Sequence, residues 1–154
     1  MAIAAAACTP PAPANNAGTE IAPAAEGGQS GLMQVPLTIR SASGAHRFTV
    51  EVAASPPEQE AGLMFRRALA PDRGMIFPYD PPQDVAFWMK NTLVPLDIIF
   101  IRSDGTIARI GANAVPHSLE FVPAGEPIAA VLEIAGGRAA ALGIRAGDRV
   151  EWKH

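Results

Sequence analysis

Alternating apolar and polar side chains predict a β-hairpin at the start of the folded region. The alternation runs from residue 37 to 40 and again from 48 to 52, with the period of two that is typical of a strand with one buried face. Ser43-Gly44 lies between the two runs and supplies turn residues. We therefore expect two paired strands with one face toward solvent.

A short helix is predicted to follow the hairpin. Ser55 is a favourable N-cap, Pro56 suits the first helical position, and Glu58 stands three residues after the cap, which is the capping-box spacing. The predicted helix runs from residue 56 to about 65. Its apolar stripe would consist of Ala61, Met64 and Phe65.

The rest of the chain consists mostly of short strand patterns separated by turn residues. Residues 96–103 are apolar on both faces, which indicates an interior strand, and Asp104-Gly105 is a hairpin turn. Residues 111–127 hold three prolines and are predicted to be irregular. Further strands are predicted at 75–77, 85–90, 106–110, 128–134 and 149–152, and a second short helix at 137–142. The expected fold is a β-sandwich or distorted barrel of short, mostly antiparallel strands with one or two short helices.

Composition divides the 154 residues into a tail and a single domain. Residues 1–8 end at Cys8 and resemble the end of a lipoprotein signal, although no Lys or Arg precedes that cysteine. Residues 9–34 are a Pro/Ala/Gly-rich stretch that cannot build a core, so we expect a disordered linker. Residues 35–154 form the predicted β-rich domain. If Cys8 is a lipidation site, the protein is anchored in the periplasm or outer cell envelope; otherwise it is cytoplasmic.

Charge and cysteine usage exclude several classes of partner. Two of the 15 acidic residues precede residue 35, so 13 acidic residues stand against 12 basic ones in the domain. No basic surface is available for nucleic acid. No apolar run reaches the length of about 20 residues that a transmembrane helix needs, which leaves a lipid anchor at Cys8 as the predicted membrane contact. A single cysteine allows neither an internal disulfide nor a structural zinc site with several thiolates.

Several motifs resemble those of one known family. They are Gly62-Leu63-Met64 with Arg66, Gly74-Met75-Ile76-Phe77, Phe87-Trp88-Met89-Lys90-Asn91-Thr92, Pro95-Leu96-Asp97, Val131-Leu132-Glu133 with Gly136, and Gly147-Asp148. In this order, over residues 50 to 150, the chain resembles the domain-of-unknown-function family 192. The resemblance implies a compact β-rich domain that is often exported. It implies no activity and no catalytic residues.

Polar residues inside the apolar run from 87 to 101 mark the best candidate site. A cation, an amide and a carboxylate among Trp, Phe and Ile side chains need partners, because unpaired buried polar groups are costly. We therefore predict a polar pocket with an aromatic rim for a small polar or carbohydrate-like ligand. The candidate pocket residues are Arg66, Trp88, Lys90, Asn91, Asp97 and Glu133.

Other interpretations of the same residues stay open at this point. The cluster could be an ion-pair network that only braces the strands. A hydrolase- or lyase-type enzyme could use Asp97 or Glu133 with Lys90, and a structural or protein-partner module would show an exposed apolar patch instead of a pocket. No catalytic set, cofactor or metal site is predicted.

Two weaker interpretations concern metals and phosphate. A cuprous copper site of Met64, Met75 and Met89 with His46 or His117 is less favoured than ordinary core packing of the methionines. A phosphate-binding helix start at Gly136-Gly137 is less favoured than a simple chain turn.

Overall fold

A strongly curled sheet of seven strands forms the body of the protein. The computed structural model describes residues 30–153, so Cys8 and most of the predicted linker lie outside the described residues. Its elements in chain order are β1 (Gln34–Ser41), β2 (Gly44–Val52), α1 (Pro56–Ala61), β3 (Arg73–Gln83), β4 (Ala86–Phe87), β5 (Leu96–Ile101), β6 (Ile107–Ala114), β7 (Val122–Pro123), β8 (Ile128–Ala135), α2 (Arg138–Leu142) and β9 (Arg149–Trp152).

The strand order of the large sheet is β6-β5-β8-β3-β2-β1-β9, and β4 pairs separately with β7. Every pair in the large sheet is antiparallel except β2 with β3. The outer strands β6 and β9 meet at one end, where Thr106 and Arg149 form a bridge and the Val150 amide donates to the Gly105 carbonyl at 2.8 Å. This closure makes the sheet a distorted barrel, which confirms the predicted fold class.

Two apolar clusters cover the two faces of the curled sheet. The inner cluster contains Ile99, Ile101, Leu132 and Ile134, and the outer cluster contains Phe100 and Val131 among others. Because side chains alternate along a strand, β5 and β8 contribute to both clusters, and all six residues of β5 are buried. The prediction of an interior strand after residue 96 is confirmed.

A glycine lets β3 lie close to β8 at the centre of the sheet. Gly74 is buried, and a Cβ there would overlap the backbone oxygen of Glu133 and lie 3.1 Å from Ile134 Cγ2. Only hydrogen fits in that space. The position of Glu133 relative to β3 therefore depends on the residue at 74.

The predicted extent of the first helix is wrong. Helix α1 ends at Ala61 and buries none of its residues, and the chain turns out of the helix at Gly62, where φ is 46°. Phe65, predicted to be part of an apolar stripe, is 68% exposed with φ 62°. The helix start was predicted correctly, since the Glu58 carboxylate accepts hydrogen bonds from the Ala54 and Ser55 amides at 3.0 and 2.7 Å. These local bonds fix the start, whereas tertiary contacts fix the end.

The strand predicted at 85–90 is also shorter than expected. Strand β4 contains only Ala86 and Phe87, because the Met89 amide bonds to the Ser118 carbonyl and Asn91 takes a positive φ of 54°. The predicted irregular segment 111–127 includes the end of β6 and the two residues of β7. No helix in the described part of the chain is long and apolar enough to cross a membrane.

Candidate functional site

A cleft of about 500 Å³ opens on the outer face of the sheet. Residues of β3 and β8 form its floor, whereas α1 with the turn after it and the loop from 88 to 92 form its walls. Its lining residues are Pro57, Gln59, Glu60, Ala61, Gly62, Leu63, Met64, Phe77, Tyr79, Ala86, Phe87, Trp88, Lys90, Asn91, Thr92 and Glu133. Four of the six predicted pocket residues, Trp88, Lys90, Asn91 and Glu133, are thus brought together.

Glu133 is the buried carboxyl group of this cleft. It lies on β8 between Met75 of β3 and Ile98 of β5, and only 5% of it is exposed. No residue in the described range donates a hydrogen bond to its carboxyl group or forms an ion pair with it. Because burial disfavours the charged form, the pKa of Glu133 rises to about 8. The side chain is therefore mostly a neutral carboxylic acid at pH 7.

Tyr79 on β3 adds a second polar group to the floor. Burial, together with the nearby charge of ionised Glu133, raises the pKa of the Tyr79 hydroxyl to about 12. Both groups therefore carry their protons at neutral pH. The floor can donate hydrogen bonds from a carboxylic acid and a phenol, and both groups can also accept them.

Aromatic rings and one lysine form the rim of the cleft. Trp88 stacks on Phe121 with ring centroids 5.5 Å apart and planes within 7° of parallel. Lys90 Nζ lies 5.0 Å from the centre of the Trp88 ring, within the range of a cation–π contact. Trp88 is 38% exposed. It is therefore the rim aromatic, and Phe87 packs edge-on against Phe77 and Phe100 in the outer cluster.

The loop from 88 to 92 holds two other loops in place through its backbone. The carbonyl of Asn91 accepts from the Phe65 amide at 2.8 Å, and that of Thr92 accepts from the His117 amide at 3.1 Å. The Thr92 hydroxyl donates to the Lys90 carbonyl at 3.2 Å. These backbone bonds join the loop to the two neighbouring loops and are independent of the side chains of Lys90 and Asn91.

Asp97 lies outside the cleft. It is fully buried, and its carboxylate accepts hydrogen bonds from the backbone amides of Asn113, Gly137 and Ala139 at 2.7, 2.9 and 2.8 Å. Two of these amides stand at the start of α2, where an anion is favoured. Asp97 thus occupies the donors that a phosphate would need, and its role is to hold the β8–α2 connection against β5.

Arg66 also lies outside the cleft. Its guanidinium pairs with Glu51, and both side chains are largely buried. Burial opposes ionisation of Glu51, but hydrogen bonds from Arg66 and Ser30 outweigh it and lower the pKa of this carboxyl. Arg66 lines a neighbouring pocket of about 470 Å³ together with Ser30 and Phe65.

The methionines and histidines occupy separate places. Met75 and Met89 are buried in the outer cluster, as core packing predicts, and Met64 lines the cleft. His46 Nε2 lies 3.0 Å from the hydroxyl oxygens of Ser41 and Ser43 in the first hairpin. Within residues 30–153, no three His, Cys, Asp or Glu side chains are grouped so that they could hold a metal ion.

Some features of the site have no signal in the sequence. Tyr79 lines the cleft because β3 continues past Pro78, where the pattern predicted an end. Val115, Leu119 and Phe121 of the loop that packs beside Trp88 are each more than 60% exposed. This is the exposed apolar surface expected of a protein-partner module, and it lies next to a cleft.

Comparison with known proteins gives a family and two solved relatives. The model of the DUF192 family, described as "Uncharacterized ACR", matches residues 37–152. One relative is a protein of unknown function from Novosphingobium aromaticivorans DSM 12444, whose crystal structure matches this one with a TM-score of 0.80. The two sequences are 50% identical, and the match covers 86% of this chain and 95% of the relative's chain. A candidate transcription regulator from Sinorhizobium meliloti 1021 is 46% identical over 81% of this chain and 98% of its own, with a TM-score of 0.78. No curated protein matches the chain.

Proposed function

The chain belongs to the DUF192 family of unknown function, and from the geometry of its cleft we propose that it is a binding module for a small polar or carbohydrate-like ligand. The observation that carries the proposal is the Glu133 carboxyl group, which lies in a cleft of about 500 Å³ without a partner among the described residues. Buried polar groups are normally hydrogen-bonded. Because Glu133 lines the open cleft, a ligand there can bond to its carboxyl group.

The size and lining of the cleft support a ligand of this kind. Small-molecule sites typically measure about 300 to 1,000 Å³ and combine apolar walls with a few converging polar groups. Here Phe77, Phe87 and Leu63 supply apolar wall, whereas Tyr79 and Glu133 supply hydrogen-bonding groups. The Trp88 ring, stacked on Phe121 and lying 5.0 Å from Lys90 Nζ, adds partly exposed apolar surface at the rim.

A thermal-shift screen of sugars, amino acids and cell-wall fragments tests this proposal. At a concentration of about 100 Kd, a bound compound adds about 2.7 kcal/mol to the stability and raises the melting temperature by roughly 5 to 10 °C. Trp88→Ala should lower or abolish the shift, since it removes the rim ring. Phe65→Ala is the matched control, because Phe65 is an exposed aromatic that does not line this cleft. The proposal fails if no compound raises the melting temperature, or if Trp88→Ala responds as the unmodified protein does.

An enzyme of the hydrolase or lyase type is the second candidate, and one observation favours it. Burial raises the pKa of Glu133 to about 8, so at neutral pH it carries a proton that a general acid could donate. Asp97 is unsuited to the role, because three backbone amides engage its oxygens. Incubating each compound that binds with the protein and with Glu133→Gln, followed by mass spectrometry, would detect chemical turnover. If the compounds are unchanged in both samples, the enzyme candidate is rejected and the binding function remains.

Export and lipid anchoring are proposed from the residues around Cys8. If the chain is expressed with an alkyne-labelled fatty acid in a bacterial host, we expect label on the unmodified protein and none on Cys8→Ser. Absence of label from both would contradict the anchor. The S. meliloti relative is described as a transcription regulator, but in this chain 13 acidic residues stand against 12 basic ones from residue 35 onward, which does not favour binding to DNA.

A further inference from the structure

We infer that the ligand of the cleft carries a protonated amine, which forms an ion pair with Glu133 as its missing counterion. This inference rests on the proposed binding function and narrows it to a chemical class: a small cationic ligand such as an amino sugar or an alkyl amine. Three observations on the cleft support it.

The first observation is the position of Glu133 among apolar neighbours. Its flanking residues on the adjacent strands are Met75 and Ile98, both fully buried. A buried carboxyl group with no partner is retained at considerable cost in stability. A leucine would avoid that cost, so the carboxyl group has a use that the described chain itself does not show.

The second observation is the distribution of charge around the carboxyl group. The charged or titratable groups that line the cleft with it are Tyr79 from β3, Glu60 from α1 and Lys90 from the loop. Strand β5 adds none, because Asp97 points to the other face. Lys90 is directed over the Trp88 ring, and burial alone sets the pKa of Glu133, so no cation of the described chain lies close enough to lower it.

The third observation is the set of aromatic rings that surround the space. Phe77, Tyr79, Phe87 and Trp88 all line the cleft. The faces of aromatic rings carry partial negative charge and attract ammonium groups, most strongly where water is excluded. A carboxylate together with such rings is complementary to a cation. An anionic ligand would meet two acidic residues and one lysine already engaged by a ring.

If the ligand is an amine, its binding must displace a proton from Glu133. Glu133 is mostly protonated at neutral pH, and pairing with R–NH3+ converts Glu133–COOH into Glu133–COO− and releases one H+ to solvent. An opposite charge within hydrogen-bonding distance lowers the pKa of a carboxyl group. Binding of an amine should therefore release close to one proton at pH 7. Hydrogen bonding of a sugar hydroxyl should release none.

Matched pairs of amine and hydroxyl probes test the inference. Glucosamine is compared with glucose, and cadaverine with 1,5-pentanediol, by isothermal titration calorimetry on the full chain in phosphate and in MOPS buffer, neither of which contains a primary amine. We expect at least one amine to bind about ten times or more tightly than its hydroxyl partner and to release about one proton. Its Kd should fall about tenfold between pH 6 and pH 7, because each bound amine displaces one proton from Glu133.

Variants separate the ion pair from other causes of binding. Glu133→Gln has nearly the same shape without the charge and should weaken amine binding by about tenfold or more while the domain stays folded. Glu126→Gln is the control, because Glu126 pairs with Arg102 away from the cleft. Circular dichroism of each variant verifies the fold.

Two results would overturn the inference. The first rejects only the amine ligand, and the second also rejects the proposed binding function. If glucose or 1,5-pentanediol binds as well as its amine partner, without proton release, the ligand is neutral and only the amine assignment fails. If none of these probes binds and no compound in the thermal-shift screen does, the proposed binding function fails with it.

Discussion

Asp97→Ala is expected to lower the free energy of unfolding by about 4 kcal/mol, because one buried and two partly buried backbone amides lose their acceptor. The donors belong to Asn113, Gly137 and Ala139. They come from the end of β6 and the start of α2, so the carboxylate joins segments that are 16 to 42 residues away along the chain. Urea denaturation monitored by circular dichroism measures the loss. Asp97→Asn keeps one acceptor oxygen and should lose less.

Asp104→Ala serves as the control for this result. Asp104 Oδ1 also accepts two hydrogen bonds, from the amide and the hydroxyl of Thr106 at 2.8 and 2.7 Å, but on the exposed Asp104-Gly105 turn. Water replaces these bonds when the carboxylate is removed, so the change should be small. A structural role for Asp97 is contradicted if Asp97→Ala unfolds at the same urea concentration as the unmodified protein. In that case the residue would have to be considered again as part of a functional site.

Glu133→Gln is expected to become more stable relative to the unmodified protein as the pH rises. The pKa of Glu133 is about 8 in the folded protein against an ordinary value of 4.5. Between these values the folded state holds a proton that the unfolded state has lost, so raising the pH favours unfolding. The stability linked to Glu133 is fully present below about pH 4.5 and is lost as the pH rises through about 8. A glutamine side chain does not titrate, so the unfolding free energy of the variant does not fall for this reason as the pH rises.

The size of the effect follows from the same linkage. Between pH 5 and pH 7 the difference in unfolding free energy between the variant and the unmodified protein should widen by about 2 to 3 kcal/mol. Urea denaturation at several pH values in one ionic strength measures it. Glu151→Gln is the control, since Glu151 is about half exposed and pairs with Arg40 at the surface. A difference that stays constant with pH would mean that Glu133 is not desolvated in the folded protein, and the ion-pair inference would lose its basis.

Local sequence patterns predicted most of the strands correctly. The hairpin of β1 and β2, the interior strand β5, the turn at Asp104-Gly105 and the strand β8 each depend on side-chain period and turn residues within a few positions. Such signals are strong because each strand has at least one face that must be buried. The mainly β fold and the family were both predicted from them and from the motifs.

Errors occurred where long-range contacts override local preference. The predicted helix end at 65 and the predicted strand end at 90 fall in segments whose amides bond to distant partners, as Phe65 does with Asn91 and Met89 with Ser118. Long-range contacts also separate the six residues of the predicted pocket. Lys90, Asn91 and Trp88 are neighbours in sequence and stay together in the cleft, whereas Arg66 and Asp97 bond elsewhere.

The sequence by itself determined the family, the mainly β architecture and the presence of two carboxylates, Asp97 and Glu133, in strands of otherwise apolar character. Nothing in the local pattern distinguishes the two, because each stands among similar side chains. Only the tertiary structure decided that Asp97 meets three backbone amides and Glu133 meets none among the described residues. The physical reason is that the hydrogen-bond donors are backbone amides of distant segments, and the fold decides which carboxylate those segments reach. The start of α2 lies beside Asp97, whereas an open cleft lies beside Glu133.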